Sequence, residues 1–217
     1  MKRVVVVGLV SALVSGCAAI NHRPLDTKSA TAWKGESITY VHRDMPDFGA
    51  MTAGKAMFGL IGGIAMISAG NSLVAEHKVP DPAEDIAKQL AASLGNQYGL
   101  TPLDQALDKS KDAKPADAAM APRFAVDVET LQWGFAYFPT NWVRYRVLYT
   151  ARAKVIDLKT QEVVAEGACR SVPEFSEAAP DYDELTGNSA ARLKQELAAA
   201  AKACVGTLTA EMLASRS

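Results

Sequence analysis

The chain has almost no excess charge of either sign. Its 217 residues include 23 lysines and arginines against 24 aspartates and glutamates, a formal net charge of −1. Nucleic-acid-binding domains carry a basic excess that neutralises phosphates, so no nucleic-acid partner is predicted. With 49% hydrophobic residues, the composition is that of a soluble globular protein of one domain or two.

Residues that commonly carry catalysis or bind metals are also scarce. The three histidines, His22, His42 and His77, do not share the i, i+4 spacing of a helical metal site. The serines lack a G-x-S-x-G elbow. Residues 49–56 have the spacing of a phosphate-binding loop, but Ala56 replaces the hydroxyl residue that holds Mg²⁺. We therefore predict no metal, no cofactor and no enzyme.

The N-terminal residues have the pattern of an export signal. A positive start at residues 1–3 is followed by an uncharged run at residues 4–14 and by small residues before Cys17. Eleven residues rise only about 16 Å as a helix, roughly half a bilayer core, so this run is too short to span a membrane. Residues 1–16 are therefore predicted to be a cleaved signal peptide.

The run Val14-Ser15-Gly16-Cys17 resembles the lipobox of bacterial lipoproteins. This resemblance implies cleavage before Cys17 and attachment of acyl chains to it, so that the membrane itself is one partner. In that family, Ala18 after the cysteine implies the outer membrane, with the domain facing the periplasm. An ordinary secretory signal followed by an incidental cysteine is the alternative.

Two further cysteines remain in the mature chain, in a compartment that keeps thiols oxidised. Cys169 lies on a predicted strand face of small residues, and Cys204 lies on the apolar stripe of the last predicted helix. Both therefore face the predicted contact between helix and sheet. One disulfide is expected, and two separate buried thiols are the alternative.

The mature chain is predicted to be a polar tether at residues 17–35 followed by one domain at residues 36–217. Asp81, Pro82 and Glu84 are typical of a helix start, and Gly99 is typical of its end. Residues 104–122 lack an apolar period and are predicted to form a mobile loop.

Three segments alternate apolar and polar residues with a period of two, at residues 124–134, 143–158 and 162–172. They predict an α+β fold, with an antiparallel sheet of three to four strands and helices packed on one face. The basic residues Arg144, Arg146, Arg152 and Lys154 share the opposite, solvated face. The order of elements over residues 81–213 is similar to that of the curli-secretion-channel lipoprotein and of lipoproteins that activate penicillin-binding proteins.

Residues 56–75 form an uncharged, glycine-rich segment that has no counterpart in those lipoprotein domains. Twenty helical residues span about 30 Å, enough for a bilayer core, and Gly59 and Gly63 have the spacing of a close-packing helix face. Gly70 belongs to the same candidate membrane or packing face. A buried segment, a membrane-associated segment within an oligomer and a flexible apolar loop all remain open.

Aromatic residues concentrate around one predicted hairpin tip. Adjacent Tyr137 and Phe138 cannot both lie on one face of a strand, so part of the cluster is expected to contact a partner, with core packing as the alternative. We expect a non-catalytic binding or assembly module whose partner is another envelope protein or a second copy. The candidate contact residues are Trp133, Phe135, Tyr137, Phe138 and Trp142.

Overall fold

The computed structural model describes residues 22–111 and 122–213. The strands are β1 (Ser37–His42), β2 (Gly49–Met51), β3 (Thr101–Pro102), β4 (Leu107–Asp108), β5 (Phe124–Phe138), β6 (Asn141–Asp157) and β7 (Glu162–Ser171). The helices are α1 (Thr27–Ala30), α2 (Ala53–Ala56), α3 (Gly59–His77), α4 (Ala83–Tyr98) and α5 (Tyr182–Leu208). A 3₁₀ turn, Thr31–Trp33, follows α1, and a π-helical turn, Thr209–Leu213, follows α5.

The sheet is mixed and has seven strands, so the prediction of a purely antiparallel sheet of three to four strands is wrong. The strands β5, β6 and β7 form the expected antiparallel meander. The first strand, β1, lies parallel to β5, and β2 pairs in parallel with the far end of β5. Parallel neighbours need a long crossover connection, and the segment that contains α3 and α4 supplies it. The α+β class itself is confirmed.

Helices α4 and α5 cover one face of this sheet. Helix α4 packs on β1 and β5, and α5 packs on β6 and β7. The carboxylate of Asp81 accepts a hydrogen bond from the Ala83 N–H at 3.1 Å, and Gly99 ends α4 with a left-handed φ of 70°. This helix therefore ends at the predicted residue but begins at Ala83, one residue later than predicted, with Pro82 at the N-cap position.

Helix α5 begins with a capping box between Asp181 and Glu184 and is broken at residues 187–190, which have non-helical dihedral angles. Beyond the break, its buried stripe faces the small residues of β7. In this contact the Sγ atoms of Cys169 and Cys204 form a disulfide, with the two Cα atoms 5.2 Å apart. The disulfide joins the last helix to the edge strand of the sheet.

Part of the predicted tether belongs to the folded domain. Arg23 forms a two-way backbone bridge with Glu166 of β7, and Leu25 and Trp33 are buried in the core. The domain therefore begins before residue 36. The sequence pattern did not indicate this, because the segment is mostly polar and has few apolar residues.

The predicted mobile loop at residues 104–122 is also held in part by the sheet. Strand β4 pairs with β1, and the Thr39 hydroxyl donates to the Gln105 carbonyl at 2.5 Å. Residues 112–121 lie outside the described part of the chain.

Candidate functional site

Three of the five aromatic residues predicted to contact a partner are instead part of the core. Trp133, Phe135 and Phe138 are all buried. The indole N–H of Trp133 donates to the Pro46 carbonyl at 3.0 Å, and the ring of Phe138 packs edge-on against Phe175 at 5.2 Å. Covering segments from elsewhere in the chain bury these rings, so they are not available to a partner.

The hairpin tip between β5 and β6 nevertheless exposes two large apolar side chains. Trp142 is 61% exposed and Val143 is 67% exposed. Tyr137 is half-buried and contacts Trp142 edge-on at 6.2 Å. The contact surface predicted at this tip is therefore reduced to Trp142 and part of Tyr137, with Val143 added.

Helix α3 packs through glycines against α2 and against the chain at the start of β2, although not through the predicted pair. A Cβ atom at Gly70 would lie 2.0 Å from the Phe48 carbonyl oxygen, and one at Gly62 would lie 1.9 Å from the Lys55 carbonyl oxygen. A Cβ atom at Gly59 or Gly63 would meet nothing within 4 Å. The close backbone approach predicted for Gly59 and Gly63 is therefore made by Gly62 and Gly70.

A side-chain bond holds α3 at the same place. Asn71 Oδ1 accepts a hydrogen bond from the Phe48 N–H at 2.8 Å, and Asn71 Nδ2 donates to Asp47 Oδ1 at 2.8 Å. Asn71, which dilutes the apolar content of this segment, thus ties the second half of α3 to the chain before β2.

The large side chains in the first half of α3 and in the turn before it are not covered. The apolar side chains there are highly exposed in the described structure: Met57 78%, Phe58 68%, Leu60 91%, Ile61 76% and Ile64 74%. Farther along the helix, the exposed positions become small or polar, as at Ser68 and Ser72. Of the three alternatives left open for residues 56–75, a flexible loop is therefore wrong, because most of the segment is helical, and burial applies to Gly62, Gly70 and Val74 of α3.

Sheet register brings these two exposed sets to one end of the molecule. Met51 of β2 pairs with Ala136 of β5, two residues before the hairpin tip, and β2 runs parallel to β5. The chain leaving β2 therefore continues toward that tip, where α2 and the start of α3 follow. We call this region the apolar end; it comprises Met57, Phe58, Leu60, Ile61, Ile64, Trp142 and Val143.

Sequence reasoning did not identify most of these residues. The available signal was the order within the uncharged segment, because its large side chains come first and its small or polar ones come later. Among the described residues, α3 is the one helix long and apolar enough to cross a membrane, and 22% of that window is buried.

The basic residues of β6 nearest the apolar end already contact other residues of the domain. Arg144 donates to the Ala179 carbonyl at 3.0 Å and lies 3.3 Å from the Glu184 carboxylate. The Arg146 guanidinium lies 5.1 Å from the centre of the Phe138 ring. Arg144 and a hydrogen bond from Arg146 to the Pro173 carbonyl hold the segment that precedes α5 against the hairpin, so these two arginines have a structural role.

A polar cleft of about 610 Å³ lies at the start of α4. The Thr130 hydroxyl donates to Asp81 Oδ1 at 2.6 Å and lies 3.0 Å from the Tyr149 hydroxyl. Burial raises the pKa of Asp81, although its hydrogen bonds with Thr130 and Ala83 oppose that shift. Burial also raises the pKa of Tyr149 far above neutrality. Tyr149 therefore stays protonated, and the Asp81 carboxylate is hydrogen-bonded to the first residue of α4. Both side chains contribute to packing.

The opposite wall of this cleft carries paired charges. Burial raises the pKa of Asp127, but hydrogen bonds from Arg43 at 2.7 Å and Lys109 at 3.1 Å outweigh it and leave that pKa below its usual value. His42 Nδ1 lies 2.6 Å from the Glu84 carboxylate. Over residues 22–111 and 122–213, no three His, Cys, Asp or Glu side chains are grouped so that they could hold a metal ion.

Comparisons with known proteins identify no family. No protein-family model matches the chain, and no curated protein matches it. One similar solved structure is the PelC dodecamer from Paraburkholderia phytofirmans, at 14% identity over 84% of this chain and 89% of that chain, with a TM-score of 0.36. Another is a DUF330 protein from Xanthomonas campestris, at 12% identity over 85% of each chain, with a TM-score of 0.38. Neither likeness is close enough to assign a function.

Proposed function

We propose that this chain is an acylated lipoprotein of the bacterial envelope whose domain acts as a non-catalytic binding or assembly module. Cys17 would carry the lipid and hold the domain at the outer membrane, on its periplasmic side. The apolar end would be the surface that contacts a partner.

The exposure of the apolar end is the observation that supports a binding role. Fully burying a Leu, Ile, Met or Phe side chain contributes about 1.5–3 kcal/mol. The five large apolar side chains between residues 57 and 64 are between 68% and 91% exposed, so covering them would contribute roughly 6–12 kcal/mol. Soluble monomers seldom leave so large a contiguous apolar patch uncovered.

The polar cleft supports a catalytic role less well. Asp127 is paired with Arg43, and Asp81 accepts hydrogen bonds from the Ala83 N–H and the Thr130 hydroxyl. The two thiols on the described residues are joined to each other. An activated nucleophile needs a free thiol or hydroxyl beside a base, and the cleft residues form structural pairs instead.

Membrane insertion through α3 is a second candidate, favoured by the length and apolar composition of this helix. The docking of Gly70 and Val74 on the domain limits that candidate. The more exposed part, residues 57–67, would extend about 16 Å as a helix, which is roughly half of a bilayer core. This candidate therefore predicts entry into one leaflet at most.

Two measurements on the full chain in its bacterial host test the proposal. Metabolic palmitate labelling should mark the wild-type protein and be lost in Cys17→Ser, because the thiol is the acceptor in the lipobox interpretation. Equal labelling of both proteins would contradict the lipid anchor.

Site-specific photocrosslinking tests the contact surface. A photoreactive amino acid placed at Leu60 or Trp142 should give protein adducts in intact cells. The same group at Arg170, an exposed residue of β7, serves as the matched control. Adducts at Arg170 alone, or at none of the three positions, would contradict a binding role for the apolar end.

A further inference from the structure

We propose that the apolar end is covered by the apolar end of a second copy of this chain. The proposal rests on the proposed function only in taking this end as a contact surface. It adds the identity of the partner, namely self-association through the first half of α3 and the hairpin tip.

The apolar end lies far along the strands from the predicted lipid anchor. Arg23 is bridged to Glu166, and Glu166 pairs with Lys154 of β6, twelve residues from Trp142 on the same strand. At about 3.3 Å per residue, twelve residues span roughly 40 Å. Cys17 precedes Arg23 by six residues, which reach about 20 Å at most. Anchoring at Cys17 therefore does not by itself place the apolar end in the membrane.

The start of α3 is better suited to a protein contact than to hydrocarbon. Its N-cap residue, Phe58, provides no side-chain cap, so the first N–H groups of the helix lack intrahelical acceptors. Each such group costs several kcal/mol in a bilayer core, where water is absent. At the rim of a protein interface, water still reaches them.

The charge pattern permits contact between identical surfaces. In a two-fold interface, each surface meets its own copy, so a charged centre would place like charges together. Residues 56–75 contain no charged side chain. Ion pairs are absent from this surface for the same reason, which makes the association depend on apolar burial.

The exposed apolar residues are also numerous enough for a stable pair. A standard interface buries about 800 Å² on each partner, and a single fully buried aromatic residue contributes about 150–250 Å². The apolar end presents seven large side chains that are each at least 61% exposed, and two of them, Phe58 and Trp142, are aromatic. A surface of this composition has the scale of one side of such an interface.

Cysteine crosslinking in native membranes tests this proposal on the full chain. Cys169 and Cys204 are bonded to each other, so an added cysteine reports on its own surroundings, and the wild-type chain measures any background. Ile61→Cys and Ile64→Cys lie in the first half of α3, and Ser72→Cys lies on its exposed polar half as a matched control. Mild oxidation should give a disulfide-linked dimer at least tenfold more abundant for positions 61 and 64 than for position 72.

A second variant keeps the test independent of folding. Adding Leu60→Asp to Ile64→Cys should lower the dimer yield at least tenfold, because it places two carboxylates at the predicted contact. The Cys169–Cys204 bond and the protease resistance of the domain should remain unchanged, because Leu60 makes no core contact.

Each other outcome overturns the proposal. Equal dimer yields at positions 61, 64 and 72 would indicate random collision. Absence of a dimer, with the thiols open to a water-soluble maleimide, would indicate an uncovered surface. Absence of a dimer, with the thiols protected until detergent is added, would indicate lipid contact. Crosslinks only to a different protein would overturn self-association and leave the proposed binding role intact.

Discussion

The docking of α3 on β2 predicts opposite effects for two glycine-to-alanine substitutions. A Cβ atom at Gly70 would lie 2.0 Å from the Phe48 carbonyl oxygen, whereas ordinary contacts begin at 3.4 Å. The helix must therefore move about 1.4 Å away from β2 to accept Gly70→Ala. Such a shift would stretch the 2.8 Å bond between Asn71 Oδ1 and the Phe48 N–H beyond hydrogen-bonding distance.

The expected cost of Gly70→Ala follows from three contributions. Overpacking costs about 1–3 kcal/mol, and the lost hydrogen bond costs about 0.5–1.5 kcal/mol. Alanine returns about 1 kcal/mol through its helix propensity. The net loss of about 0.5–3.5 kcal/mol corresponds to a fall in Tm of roughly 1–14 °C for a domain of this size.

Gly206→Ala is the matched control for this measurement. Gly206 lies within α5, and a Cβ atom there would meet nothing within 4 Å. This variant should gain up to about 1 kcal/mol from helix propensity alone. Thermal and denaturant unfolding of the full chain measure both variants. A stabilised Gly70→Ala variant would refute the docking of α3 on β2.

Three further predictions concern the core, the disulfide and the cleft. Phe138→Ala should lower the free energy of unfolding by about 3–5 kcal/mol, whereas Trp142→Ala should change it by about 0.5 kcal/mol or less; similar losses would contradict their different burial. Replacing Cys169 and Cys204 by alanine should cost about 4 kcal/mol, from the chain entropy of a 35-residue separation, and an unchanged Tm would argue against the bond. Because burial raises the pKa of Asp81 in the folded chain, ionisation lowers stability as the pH rises above the unfolded pKa of about 3.9. Asp81→Asn should therefore be more stable than wild type at pH 7 but not at pH 3, and a constant difference between melts at the two pH values would contradict this.

The best sequence predictions concerned elements whose signals are local. Gly99 ends α4, and Asp81 lies two residues before its first residue, because helix ends depend on a few neighbouring residues. The period-two alternation of the three long strands predicted their meander. These patterns depend on backbone hydrogen bonding within one helix or between neighbouring strands. The structure contains both the helix α4 and the meander of β5, β6 and β7.

The sequence patterns did not predict the pairing of strands that are far apart in the chain. The parallel placement of β1 beside β5 joins residues more than eighty positions apart, and the strands β2, β3 and β4 are too short to show a period. The burial of Trp133 by Pro46 and Phe48 likewise depends on a distant segment. Patterns within one strand do not indicate which distant segment will cover it.

The sequence by itself predicted the signal peptide, the lipid attachment and the amphipathic helix α4. It also determined the balanced charge and the absence of charge from residues 56–75. Only the tertiary structure decided which positions of that segment are covered. Gly62 and Gly70 meet backbone carbonyls, whereas Gly59 and Gly63 meet nothing within 4 Å. The physical reason is that burial depends on the surface that packs against a residue. The α2 backbone packs against Gly62 and the chain beside β2 packs against Gly70, whereas no described element covers the large side chains at the start of α3.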